Sequence, residues 1–220
     1  SICYAVQDEP KGIAEAFILG EDFIGQDDVF LILGDNILFG WQMSEILKDS
    51  RDSVSNYKKP KIFGYHINNP TEFGVAEIDN DLNVVSLEEK PKNPKSNWAV
   101  IGLYMYDNSV VRIAKSLTPS DRGELEITDI NKEYLENNNL GIQLLGRGCT
   151  WFDAGNCDDF YDAASFVRTL EKRQGFKIAC LEEIAFNNGW IDKKQLSQLA
   201  HSMRSSAYGK YIKGIIHESS

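Results

Sequence analysis

Two aspartates stand where apolar runs end. Asp35 follows Val29-Phe30-Leu31-Ile32-Leu33 and a glycine, and Asp153 follows Trp151-Phe152. Open α/β sheets gather ligands at the carboxyl ends of buried strands. Two carboxylates from separate strands supply part of the oxygen shell of a magnesium ion, with water and substrate phosphate supplying the rest. Gly34-Asp35-Asn36 and Asp153-Ala154-Gly155 are equally good turn formers, and residue type alone does not separate the two readings. Glu88-Glu89-Lys90-Pro91 closes another apolar run. Glu89 has acceptors for sugar hydroxyls and Lys90 a charge for phosphate, although adjacent opposite charges also suit a solvated rim. Arg122, in Asp121-Arg122-Gly123-Glu124, offers either a phosphate fork or an exposed partner for nearby acids. Gln7 and Gly12 flank a loop leading into a helix, and Gln7 carries the donor and acceptor that a pyrimidine edge requires. Gly74, after Phe73, lets a ligand approach the backbone or simply serves a turn. Unaided, these residues lead to an α/β protein that binds a phosphorylated ligand with a metal.

The elements that must hold these groups follow from pattern. Residues 2–6, 29–33, 62–67 and 98–106 read as strands, the second as one covered on both faces in a parallel sheet. Residues 74–78 and 84–87 form a hairpin about Asp79-Asn80-Asp81. Shorter strands are expected at 142–145 and 151–152. Helices are expected at 13–23, 42–50, 110–117 and 127–136, with residues 52–60 as a polar loop. From about Asp158 the pattern turns helical. The division predicted is an α/β core over residues 1–157 and a helical region over 158–220, packed on that core and on a neighbouring subunit.

Composition narrows the class. With 220 residues, 42% of them hydrophobic, the chain has enough apolar material for a sizeable core. Its net charge of −10 argues against nucleic acid, which requires a basic face. No apolar run approaches the ~18 residues of a membrane span, and no leader is visible, which points to the cytoplasm. Cys3, Cys149, Cys157 and Cys180 lack metal-ligand spacing and read as reduced, buried thiols. The chain opens on Ser1 instead of Met and enters a strand at once, as if something before it had been removed.

Taken together, these segments resemble the glucose-1-phosphate thymidylyltransferases of the sugar nucleotidyltransferase family. Tyr4-Ala5-Val6-Gln7, Leu33-Gly34-Asp35-Asn36, Phe73-Gly74-Val75, Ser86-Leu87-Glu88-Glu89-Lys90-Pro91, Lys95-Ser96-Asn97-Trp98-Ala99-Val100, Arg122-Gly123-Glu124-Leu125-Glu126-Ile127-Thr128 and Gly146-Arg147-Gly148 occur in the family's order, as does Glu171-Lys172-Arg173-Gln174-Gly175-Phe176-Lys177. The resemblance implies a three-layer, mostly parallel, Rossmann-like sheet flanked by helices, with a helical C-terminal region. It implies dTTP and α-D-glucose 1-phosphate as substrates, dTDP-glucose and pyrophosphate as products, and supply of dTDP-rhamnose and other deoxysugars for surface polysaccharide. Asp35 and Asp153 are then the Mg²⁺ ligands, and Gln7 and Gly12 contact thymine. Asn36 is a substrate-binding position, Gly74, Glu89 and Val100 hold the sugar, and Lys90 and Arg122 hold its phosphate. A homotetramer with a regulatory nucleotide site between subunits is implied as well.

Two departures accompany the resemblance. Asp153-Ala154-Gly155 stands where the family has Asp-Thr-Gly, losing a hydroxyl while keeping the carboxylate. The family's Gly-rich Gly-x-Gly-Thr-Arg phosphate loop, with its later Lys, does not occur within these 220 residues. The expectation is that residues 1–220 alone are inactive and expose apolar faces and unpaired edges, being part of a longer enzyme. The alternatives are a truncated, non-catalytic paralogue that binds sugar nucleotide, or a relative specific for uridylyl or cytidylyl transfer. Gln7 pairs equally well with thymine and uracil, which differ by a methyl group.

Overall fold

The computed structural model describes residues 2–218; Ser1, Ser219 and Ser220, and with them the expectation attached to Ser1, lie outside the described residues. A first compact unit, ending at Asp153, runs α1 (Glu15–Leu19), α2 (Glu21–Ile24), β1 (Val29–Ile32), β2 (Asn36–Gly40), α3 (Met43–Tyr57), β3 (Lys61–His66), β4 (Gly74–Ile78), β5 (Val84–Glu89), β6 (Trp98–Tyr106), α4 (Ser109–Ser116), α5 (Ile127–Glu136), β7 (Gly141–Leu145) and β8 (Cys149–Asp153). A second unit, from Ala154, holds α6 (Cys157–Gln174), α7 (Leu181–Asn187), α8 (Lys193–Ser202) and α9 (Ala207–Glu218).

The first unit is organised about β6, whose residues after Trp98 are all buried. Side chains alternate between the faces of a strand. Val100, Tyr104 and Tyr106 enter a core with α1, α4 and α5, while Ile101, Leu103 and Met105 enter a second core with Phe63, Trp151 and Val54 of α3. The sheet order is β5-β4-β6-β3-β7, with β1 also on β6, and β2 and β8 form a separate ribbon. β6 changes partner along one edge. It pairs with β4 through Val100 and with β1 from Leu103 onward, while β3 follows its other edge. Ile101 and Gly102 sit at the fork between the two ladders.

Tyr106 ties this core to α5. Its ring lies edge-on to Phe17 and stacked on Tyr134, and its hydroxyl donates to Asn131 Oδ1 at 2.6 Å. Burial pushes the phenol pKa well up, so the group remains a neutral donor. Tyr106→Phe keeps the rings but leaves the buried Asn131 oxygen unpartnered. It is expected to cost ~1–3 kcal/mol, read as a lower urea midpoint with unchanged slope.

Several expectations are corrected. The α/β class stands, but the sheet is mixed: among the described pairings only β3–β7 is parallel, so it is not mostly parallel. Residues 2–6 form no strand, with Ile2 and Tyr4 80% and 92% exposed, because no neighbouring edge pairs with them among the described residues. β1 is not covered on both faces, since Phe30 and Ile32 are exposed, and among the described residues it pairs with β6 alone. Helix α3 continues through residues 52–57, where a loop is expected, because Ile46, Leu47 and Val54 keep one side turned to the core on an otherwise polar helix. Gly20 divides the helix expected over residues 13–23 into α1 and α2. The four thiols are free, but only Cys180 is buried; Cys3 and Cys157 are exposed.

The hairpin is as expected. Asp79 accepts from the backbone N–H and side-chain amide of Asn83 and from the backbone N–H of Asp81, which hold its carboxyl below the usual range. In the second unit Asn156 caps α6 through the N–H groups of Asp158 and Asp159, and Asp192 with Gln195 forms a capping box on α8. Leu196, Ala200 and Ile212 join Cys180 in a small core of its own. No helix among the described residues is long and apolar enough to cross a membrane.

Candidate active site

Beside the fork in β6 lies a cavity of about 240 Å³. Asp35, Asn36, Gly74, Glu89, Lys90, Val100, Arg122 and Asp153, from widely separated segments, all line it. Strand pairing explains the convergence. Glu89 closes β5 opposite Gly74, which opens β4, and Gly74 stands opposite Val100 on β6. The three therefore form one row across three strands. On the other side, Asn36 opens β2 opposite Asp153, which closes β8, so both strand-end aspartates arrive at one end of the ribbon. Gln7 and Gly12 do not line this cavity. They lie together on the adjoining loop, where Gln7 Nε2 donates to Gly12 O (3.2 Å) and Glu15 Oε2 (2.6 Å), and the next residue, Ile13, is in the cavity wall.

The side chains are already engaged with one another. Thr128, in the first turn of α5, donates to Glu89 Oε2 at 2.5 Å. Arg122 grips Glu126 through Nε (3.2 Å) and Nη2 (2.8 and 2.9 Å), and Nη2 approaches Glu89 and Glu124 at 3.5 Å. The Glu126 carboxylate raises the guanidinium pKa further, and Nη1 has no hydrogen bond among the described residues. Lys90 takes a left-handed backbone (φ 42°) while its N–H donates to Phe73 O at 3.0 Å. Such a conformation is uncommon for a non-glycine residue, and it turns the chain sharply at the end of β5. Burial raises the Tyr104 phenol, which stays neutral at the cavity wall.

Six carboxylates (Asp35, Glu72, Glu89, Glu124, Glu126 and Asp153) line the cavity against one lysine and one arginine. A phosphorylated ligand would meet net repulsion there without an added cation. The donors fit a hard divalent ion: all are oxygens, with no His or Cys in the lining. No cluster of three or more His, Cys, Asp or Glu suited to a metal occurs among the described residues. Such a pair of carboxylates is the incomplete shell that Mg²⁺ commonly takes, completed by water and phosphate. A larger cavity of about 370 Å³ lies against α3 and β1, but Val29, Phe30, Leu47, Val54 and Met105 make its walls mainly apolar.

The family model described as Nucleotidyl transferase matches residues 1–169. The chain belongs to the nucleotidyl transferase family. Within that family it is 50% identical over 212 residues to a glucose-1-phosphate thymidylyltransferase of Neisseria meningitidis serogroup A, covering 96% of this chain and 73% of the relative. It is 48% identical to the Mycobacterium tuberculosis enzyme of that name, with 72% of the relative covered. A solved Bacillus anthracis structure with the same designation, in complex with a sucrose, is 41% identical with a TM-score of 0.66, over 76% of this chain and 65% of that one. UDP-glucose pyrophosphorylase complexed with UDP-glucose shares the nucleotidyl transferase fold at 21% identity and a TM-score of 0.67.

Sequence reasoning did not single out Thr128, Glu126, Gly102 or Trp151. Thr128 and Glu126 belong to one of the family-like motifs, but nothing in residue order shows that the start of α5 faces Glu89. Trp151 enters the sequence reading only as part of the short apolar run before Asp153, and the β2–β8 pairing is what brings its indole to Asn36.

Proposed function

We propose that the chain carries the sugar-phosphate side of a glucose-1-phosphate thymidylyltransferase, which joins dTTP and α-D-glucose 1-phosphate into dTDP-glucose and releases pyrophosphate. The supporting observation is the row of Glu89, Gly74 and Val100 beside Asp35 and Asp153 in one cavity, in a chain half identical to proteins of that name. In the reaction a phosphate oxygen of the sugar attacks the α-phosphorus of dTTP, and the bond to pyrophosphate breaks in line as the new P–O bond forms. No covalent enzyme intermediate is required, so the side chains position and neutralise. Glu89, held by Thr128, accepts glucose hydroxyls, and Gly74 and Val100 line the sugar. Lys90 and Nη1 of Arg122 hold the phosphate, while Gln7 and Gly12 are assigned to the thymine base outside this cavity. Mg²⁺ on Asp35 and Asp153, when bound, supplies charge neutralisation at the phosphates.

The product suits dTDP-rhamnose and deoxysugar synthesis for surface polysaccharide. The reading also carries a cytoplasmic location, where nucleoside triphosphates are made, and a homotetramer. It is tested by calorimetric titration of residues 1–220 with α-D-glucose 1-phosphate in the presence of Mg²⁺, which offsets the acidic lining. Binding is expected, with Glu89→Gln losing about thirtyfold in affinity, the scale of a charged hydrogen bond. No binding, or equal binding by the variant, overturns the assignment. Because no Gly-rich phosphate loop occurs within residues 1–220, these residues alone are expected to bind dTDP-glucose without making it. Formation of dTDP-glucose from dTTP and α-D-glucose 1-phosphate by purified residues 1–220 refutes that expectation.

A further inference from the structure

We infer that Trp151 is a positioning residue for Asp35, acting through the side-chain amide of Asn36; the inference rests on the reading of Asp35 as a metal-binding carboxylate. The amide is bonded on both ends. Its Oδ1 accepts the indole Nε1–H of Trp151 at 2.7 Å and the backbone N–H of Gly102 at 3.0 Å, and its Nδ2 donates to Asp35 Oδ1 at 2.8 Å. This network settles which end of the amide is oxygen. Reversed, the NH₂ would face two N–H donors and the oxygen would face a carboxylate. The direction of the Asn36–Asp35 bond is therefore set by Trp151 and Gly102 together. Asp35 Oδ1 is held, and Oδ2 takes no hydrogen bond among the described residues.

Each support is itself fixed. Trp151 is buried, with Phe73 and Tyr65 edge-on to its ring at centroid separations of 5.1 and 5.8 Å. Gly102 lies at the fork in β6, and a Cβ built there would meet the Asn36 amide at 2.7–2.8 Å. The amide thus rests against bare backbone. Trp151 and Asp153 are two apart on β8 and share a face, and Asn36 stands opposite Asp153. One strand supplies a carboxylate and, two residues earlier, the donor that orients the other carboxylate. Asp35 is exposed in a turn, where a carboxylate without this tether would turn freely between rotamers.

The test reads Mn²⁺ binding by electron paramagnetic resonance, with saturating dTDP-glucose, for residues 1–220 and variants. Asp35→Asn should abolish binding. Trp151→Phe, which keeps an aromatic ring and removes only the N–H, should weaken it about tenfold, as loss of outer partners of metal ligands does, with the unfolding midpoint near that of the parent. Asn36→Leu should weaken binding at least as much, and adding Trp151→Phe to it should cost nothing more. Gly102→Ala, which displaces the amide without touching Trp151, should reproduce the tenfold loss and serves if Trp151→Phe does not fold. Unchanged binding by Asp35→Asn sinks the metal reading itself. Loss with Asp35→Asn but parental affinity in Trp151→Phe, or additive losses in the double variant, overturns the positioning role alone.

Discussion

Asp153→Asn is expected to lower Mn²⁺ affinity in the presence of dTDP-glucose by about a hundredfold or more, beyond the ~10–100-fold that outer-shell partners typically cost. The change removes one charge and almost no volume from the end of β8, opposite Asn36. On the proposed reading the ion would be held by Asp35 and Asp153 themselves and not by the general negative field of the lining, so a neutral isostere at one of them should not be compensated. Near-ultraviolet circular dichroism should remain parental. A variant that binds Mn²⁺ like its parent would mean that Asp153 does not contribute to the cation site.

The second large effect is on stability. Gly12 has φ +99°, and a Cβ there would lie 2.3 Å from Leu125 O and 2.7 Å from Leu125 N. Both atoms are backbone and belong to a clip in which Leu125 N–H donates to Lys11 O (2.7 Å) and Ala14 N–H donates to Leu125 O (3.3 Å). Backbone cannot swing away as a flexible side chain would. Gly12→Ala is therefore expected to cost roughly 2–4 kcal/mol, combining left-handed strain with the broken clip. Gly146→Ala, whose added methyl would meet nothing within 4 Å, should stay within ~1 kcal/mol. Urea midpoints of the two variants measure the contrast, and comparable losses would refute the clip. Because Leu125 follows directly on the Arg122–Glu124 segment, the Gly12 variant should also bind α-D-glucose 1-phosphate more weakly.

Much of the fold was legible where local pattern and tertiary context agree. β6 announces itself as a nine-residue apolar run, α5 by its bounds, and the β4–β5 hairpin by an acidic turn. Strand direction was not legible, since β6 is buried on both faces while its pairings with β1, β3 and β4 are antiparallel. An apolar run reports burial, not polarity of pairing. Residues 2–6 have strand-like composition, but a strand exists only with a ladder partner. β2 escaped notice because Asn36–Gly40 is short and emerges directly from the turn at Asp35. In the site, Asp35 and Asp153 could be suspected from strand ends alone. Glu89 and Gly74 could be suspected from residue type, but Val100 needed the family resemblance, because the alignment of the three in one row depends on the registers of two ladders. Thr128 and Trp151 were invisible: their roles are hydrogen bonds to residues 39 and 115 positions away.

The divided edge of β6 makes one amide an internal reporter. At the fork, Gly102 N–H is bonded to a side chain instead of a neighbouring strand, so its protection from solvent deuterium depends on whether Asn36 is in place, not on the opening of either ladder. Its exchange should quicken in Asn36→Leu while the amides of Ala99 and Tyr104 keep their protection. A single backbone proton thus registers the order of the cleft independently of the stability of the sheet around it.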